Sequence, residues 1–73
     1  MSIRTFQDAD ARVWRVWATM PAKPELVVPE FAGGWLTFRS GGEKYRLAPI
    51  PPSWETAPED RLDLLRRAAL PVE

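Results

Sequence analysis

The sequence contains no cysteine and no histidine. Without Cys there are no disulfides and no thiolate-held metal. Without His, the commonest general base and the commonest metal-ligating side chain are both missing. No apolar run approaches the length of a spanning helix, and no charged-then-apolar leader opens the chain, so a soluble, cytoplasmic protein without membrane association is expected. Nor is there an excess of one charge: ten Lys and Arg face ten Asp and Glu. A dedicated nucleic-acid binder usually carries a basic surplus, so neutrality counts against that class while leaving room for a local basic patch. Eight of the ten cations are Arg, whose planar fork suits interfaces better than Lys does.

What the chain does hold is a heavy aromatic load. Four Trp, three Phe and one Tyr occur in 73 residues. A chain this short forms a single domain, 1–73, and buries only about 60% of its unfolded surface, so a few large side chains must fill the core.

The organising stretch is Trp35–Leu47, in which two alternating runs flank Gly41-Gly42. Glycine reaches positive φ without a Cβ clash, so this pair suits a primed hairpin turn. A two-residue loop there sets Ser40 opposite Glu43, Phe38 opposite Tyr45 and Leu36 opposite Leu47. Leu36, Phe38, Tyr45 and Leu47 then share one face, and Trp35, Thr37, Arg39, Lys44 and Arg46 share the other.

Upstream, residues 2–7 and 12–17 read as two strands around a turn at Asp8–Ala11. A two- or four-residue loop sets Phe6 opposite Val13. A three-residue loop sets it opposite Trp14 and forces Ala11 into a left-handed conformation that Ala disfavours. Trp14 and Val16 are expected inward, because the alternative buries Arg15 beside Trp17. Pro21 and Pro24 interrupt the pattern; Glu25–Val28 reads as a short strand or extended segment, and Phe31 as a core anchor in the connection. Downstream, Pro49, Pro51 and Pro52 impose an extended path to Trp54. A C-terminal helix follows, with Thr56 and Glu59 at capping-box spacing and Pro58 in the first turn. Its stripe is Leu62, Leu65 and Ala69, with Leu64 and Ala68 alongside; acids crowd its start, Arg66 and Arg67 its end, and Pro71 stops it.

These elements predict an α+β domain: two antiparallel β-hairpins in a four- to five-stranded sheet, strand order 1-2-3-4, with one amphipathic C-terminal helix supplying the second layer. A partly closed barrel is the structural alternative.

No catalytic constellation emerges. Asp8 and Asp10 offer too few ligands for a metal and read as turn chemistry. Asp60 and Asp63 read as dipole complements and solvated charges. Ser40-Gly41-Gly42 lacks the Lys and the helix of a phosphate loop. Ser40, Ser53, Thr37 and Thr56 have no His to activate them. No enzyme activity, cofactor or metal is therefore expected.

Two functional candidates remain. Trp35, Arg39, Lys44 and Arg46 form an Arg/Lys/Trp face suited either to a protein hot spot or to nucleic-acid binding. Pro49–Trp54 is either a ligand for an aromatic groove or a strap docking Trp54 on the core. The expected function is a non-catalytic protein–protein interaction module, a small regulatory or adaptor protein; the alternative is a nucleic-acid-binding domain using the second hairpin. Trp14-Arg15-Val16-Trp17, Gly34–Phe38 and Tyr45–Trp54, followed by an Arg-ending helix, resemble small uncharacterised proteins of GC-rich bacteria over most of the chain. That resemblance implies a self-contained domain and no particular activity.

Overall fold

A computed structural model describes residues 3–72. The strands are β1 (Ile3–Gln7), β2 (Val13–Thr19), β3 (Trp35–Ser40), β4 (Glu43–Leu47) and β5 (Leu70–Pro71), and the helix α1 is Glu59–Ala68. The sheet is an open antiparallel meander in the order β1-β2-β3-β4-β5, so the barrel alternative does not form. The α+β architecture of two hairpins and a C-terminal helix stands. The fifth strand comes from the C-terminus, where Leu70 and Pro71 pair with Arg46 and Tyr45.

The second hairpin has the register that the Gly-Gly turn dictates: Leu36 opposite Leu47, Phe38 opposite Tyr45 and Ser40 opposite Glu43. Gly41 takes a φ of 58°, the positive value that a Cβ would penalise. Leu36 and Phe38 are fully buried, and Tyr45 and Leu47 close over them. Phe6, Trp14 and Val16 from the first hairpin complete the sheet's inner face, as the alternation in β2 requires. The helix covers that face with Leu62, Leu65 and Ala69. Leu64 and Ala68 do not join the stripe: both are exposed.

In the first hairpin Phe6 pairs with Trp14, and Ala11 is left-handed at φ 64°. The strain argument against this register is outweighed by the side chain of Asp8. Its Oδ1 accepts from the backbone N–H of Asp10 at 2.9 Å and of Arg12 at 3.0 Å. Its Oδ2 accepts from Trp14 Nε1 at 2.9 Å, satisfying the one polar atom of a buried indole. A left-handed Ala costs about 1–2 kcal/mol. Ala11→Gly removes that cost and gives back part of it in unfolded-state entropy. A net stabilisation of about 1 kcal/mol or less is expected, read as a raised midpoint in urea; a lowered midpoint would mean that the Ala methyl makes a contact worth keeping.

The Trp14 hydrogen bond, reinforced by the two backbone N–H donors, holds the Asp8 carboxyl below its ordinary value of 3.8. A depressed folded pKa contributes stability that is present above the unfolded value and lost as pH falls through the folded one. Asp8→Asn is therefore expected to flatten the decline of melting temperature with acidification below about pH 4. An acid limb as steep as the parent's would show that the stabilisation does not depend on the charge.

Other expectations need correction. Glu25–Val28 is not a strand: Glu25 and Leu26 belong to a 3₁₀ turn, Pro24–Leu26, and Val27 and Val28 are extended between it and a second 3₁₀ turn, Pro29–Phe31. Each begins at a Pro, whose fixed φ favours that geometry and whose missing N–H is not needed there. Leu26 and Val28 consequently stay in solvent, 73% and 52% exposed. Phe31 is not a core anchor. It lies on the opposite side of the sheet, edge-on to Trp35 with centroids 5.6 Å apart. Thr56 does not cap the helix. It ends a 3₁₀ turn, Trp54–Thr56, and its hydroxyl donates to the Ser53 carbonyl at 3.3 Å. Pro58 occupies the cap position in an extended conformation instead. Asp63 is not a solvated charge. It is buried, with Arg66 Nε at 2.8 Å and Arg67 Nη2 at 3.2 Å, and Arg66 in turn lies over the Trp14 ring.

The Pro-rich segment is a strap. Trp54 is 6% exposed and belongs to the core, and Arg4 Nη1 donates to the carbonyls of Trp54, Glu55 and Ala57.

Candidate basic sheet face

Because side chains alternate and antiparallel partners share a face, the register assigns every strand residue to one side of the sheet. The helix covers the inner side. On the outer side one row runs Thr5, Arg15, Arg39, Lys44 across β1 to β4. The next runs Ile3, Trp17, Thr37, Arg46, Leu70 across all five strands. Gln7 and Val13 lie beyond the first row, Thr19 and Trp35 beyond the second. Four cations, Arg15, Arg39, Lys44 and Arg46, therefore stand among the outer strand positions, and no carboxylate stands with them.

Several acids lie on other elements, and Glu30, in the connection before β3, borders a cleft beside Arg46. Glu59, Asp60 and Asp63 lie on the helix, and Glu55 on the strap. Glu43 points to the inner side and pairs with Arg12. Formal neutrality thus conceals a local concentration of cations on the outer strand positions. Lone cations across neighbouring strands repel, at a cost of about 0.2–1 kcal/mol per pair. Arg39 meets this twice, flanked by Arg15 and Lys44. All three are exposed, and none has an ion-pair partner among the described residues. A shallow depression of about 370 Å³ lies beside them, bordered by Val13, Arg15, Trp17, Arg39, Ser40 and Gly41.

The four residues singled out in the sequence separate into two pairs. Arg39 and Lys44 face each other in the open row. Arg46 lies with its Cζ 5.1 Å from the Trp35 ring centroid, and both are half-buried. Trp35 is enclosed by that guanidinium on one side and by Phe31 from the preceding connection on another. It is a support for Arg46 and not an open anchor. Arg15, Trp17 and Val13 belong to the face and were not singled out from the sequence. The inward assignment of Trp14 and Val16 already turned Arg15 and Trp17 outward; what was missing was the β2–β3 register, which sets Arg15 beside Arg39.

The remaining polar candidates are engaged structurally. Ser40 is buried, and its Oγ accepts from Arg12 Nε at 3.0 Å. Thr37 is buried and shares a hydroxyl contact of 3.2 Å with Thr19. Asp8 is committed to the turn and to Trp14. No three acidic side chains gather as a metal-binding group among the described residues, and no described helix is long and apolar enough to cross a membrane. No protein-family model matches the chain, and neither a curated protein nor a solved structure matches it significantly.

Proposed function

We propose that the chain is a non-catalytic protein–protein interaction module, a small cytoplasmic regulatory or adaptor protein whose outer sheet face receives an acidic partner. The observation that carries this reading is the row of Arg15, Arg39 and Lys44 next to Arg46, with no carboxylate at the paired strand positions of that face among the described residues. A protein gains nothing in its own stability from stacking like charges across strands. An acidic partner turns that repulsion into attraction and speeds encounter. Apolar positions surround the cations: Ile3, Val13 and Leu70 are 62%, 50% and 70% exposed. A protein segment that combines carboxylates with apolar side chains satisfies both features. Single-stranded nucleic acid is the second reading, favoured by the cations and by half-buried Trp17. Against it, Trp35 already holds a cation over its ring and an aromatic edge beside it, so it does not offer an open stacking platform.

The test titrates the isotope-labelled full chain with a short peptide of alternating Glu and Leu, and separately with oligo-dT, at low and raised salt. Shifts confined to the outer face with the peptide, retained in part at raised salt, support the reading. Tighter binding of oligo-dT with a steep salt dependence replaces it with the nucleic-acid reading. No binding of either leaves the face a solvated surface and ends the proposal. Arg39→Glu converts two repulsive neighbours into attractive ones. It is expected to raise stability by up to about 1 kcal/mol while weakening the acidic peptide. A variant that is destabilised instead would mean that the cations serve the fold.

A further inference from the structure

Arg46 differs from the other cations of the outer face. Its stem and guanidinium lie against Trp35, with Cζ 5.1 Å from the ring centroid, and Phe31 holds that ring edge-on at 88°. The head group is thereby fixed in place, whereas Arg15, Arg39 and Lys44 project freely from the sheet. Arginine carries five N–H donors and no acceptor. Arg46 Nε is buried without a hydrogen-bond partner among the described residues. Arg4, Arg12, Arg66 and Arg67 all direct their guanidinium groups at carbonyl or carboxylate oxygens, whereas Arg46 makes no such hydrogen bond or ion pair among the described residues.

The space around it is shaped. Two adjoining clefts share Phe31, Arg46 and Leu70 as walls, one of about 90 Å³ and a wider one of about 370 Å³. Leu70 is 70% exposed and stands directly opposite Arg46 across β4 and β5. Glu30 borders the smaller cleft and yet makes no ion pair with Arg46. The arrangement is a fixed guanidinium with spare donors between an aromatic and an aliphatic wall. That chemistry fits a carboxylate with an apolar neighbour: the carboxylate on the planar fork, the apolar group between Phe31 and Leu70.

Resting on the interaction reading above, we infer that this cleft is the anchor of the interface, and that it takes a carboxylate of the partner protein adjacent to an apolar side chain. Arg15, Arg39 and Lys44 then supply long-range attraction, and Arg46 supplies the specific contact. Glu30 competes weakly for the same guanidinium, which disfavours any partner lacking the full carboxylate–apolar pair.

The experiment measures binding of the full chain to the alternating Glu/Leu peptide and to a Glu/Ser peptide of equal charge. The Glu/Leu peptide is expected to bind more tightly. Arg46→Gln should weaken it about tenfold, the value of one charge-assisted hydrogen bond. Arg46→Lys, which keeps the charge and the cover on Trp35, should not restore it, because the fork is lost. Leu70→Ser should weaken Glu/Leu and leave Glu/Ser unchanged, and its exposed position keeps folding out of the result. Glu30→Gln should tighten both. If Arg46→Lys and Leu70→Ser both bind Glu/Leu as the parent does while Arg15→Gln weakens it, the anchor is wrong and the interaction reading stands without it. If the parent binds neither peptide, both fall together.

Discussion

Phe38→Ala should leave the protein close to unfolded at room temperature. Phe38 is fully buried at the centre of the sheet, between Val16 on β2 and Tyr45 on β4. It also meets Phe6 edge-on, with centroids 6.3 Å apart and an interplanar angle of 84°. Truncating a buried Phe costs about 3–5 kcal/mol through lost transfer energy and the cavity left behind. A domain of this length has a total stability of roughly 4–11 kcal/mol, so one side chain carries a large share of it. The measurement is a urea or thermal melt of the full chain, with Phe38→Leu as the milder control expected to lose less. A Phe38→Ala variant melting within a few degrees of the parent would show that this face is not the core, because about 1 kcal/mol already moves the midpoint by roughly 4–8 °C.

The second large effect is expected at Trp54. The strap between β4 and α1 has little hydrogen bonding of its own, because Pro49, Pro51 and Pro52 donate none. It is held at its end by the buried Trp54 ring and by Arg4, whose Nη1 reaches the Trp54 and Glu55 carbonyls at 3.3 and 3.2 Å. Trp54→Ala should cost about 3–5 kcal/mol, comparable to Phe38→Ala. Because the strap leads into α1, the loss should include helix docking: hydrogen exchange in Leu62–Arg66 should rise with that in the sheet. If Trp54 were instead presented to a partner's groove, its removal would leave the melting curve unchanged. Protection lost in the helix alone would mean that the sheet stands without this layer.

Local information was sufficient where it was redundant. In the second hairpin the apolar alternation and the Gly41-Gly42 turn both specify one register, and a slip by one residue would expose Phe38 and bury Arg39. In the first hairpin they do not agree. The Ala11 strain argument pointed away from the observed register, and what reverses it is a side chain, Asp8, whose bonds to two backbone amides and to Trp14 are individually modest and jointly decisive. The capping box failed for a related reason. Thr56 and Glu59 have the right spacing, but with Trp54 buried in the core Thr56 closes a 3₁₀ turn, and Pro58 stands at the start of the helix. Pairwise spacing does not register a competing contact made one turn earlier.

The sequence by itself determined the α+β class, the second hairpin's register with Leu36 and Phe38 inward, and the presence of a C-terminal helix. Each of these follows from a period of two or near four that repeats over enough residues to exclude the alternatives. It also placed Arg39, Lys44 and Arg46 on one face. Tertiary structure alone decided that Arg15 stands beside Arg39, that Trp35 lies under Arg46 and against Phe31, and that Leu70 returns to pair with Arg46. The Trp35 contacts are set by side-chain placement beside the second hairpin, while the pairings of Arg15 with Arg39 and of Leu70 with Arg46 cross the Met20–Gly34 connection or the strap and helix. There no turn geometry links the two sides, and the pairing is selected by how the buried faces fit together.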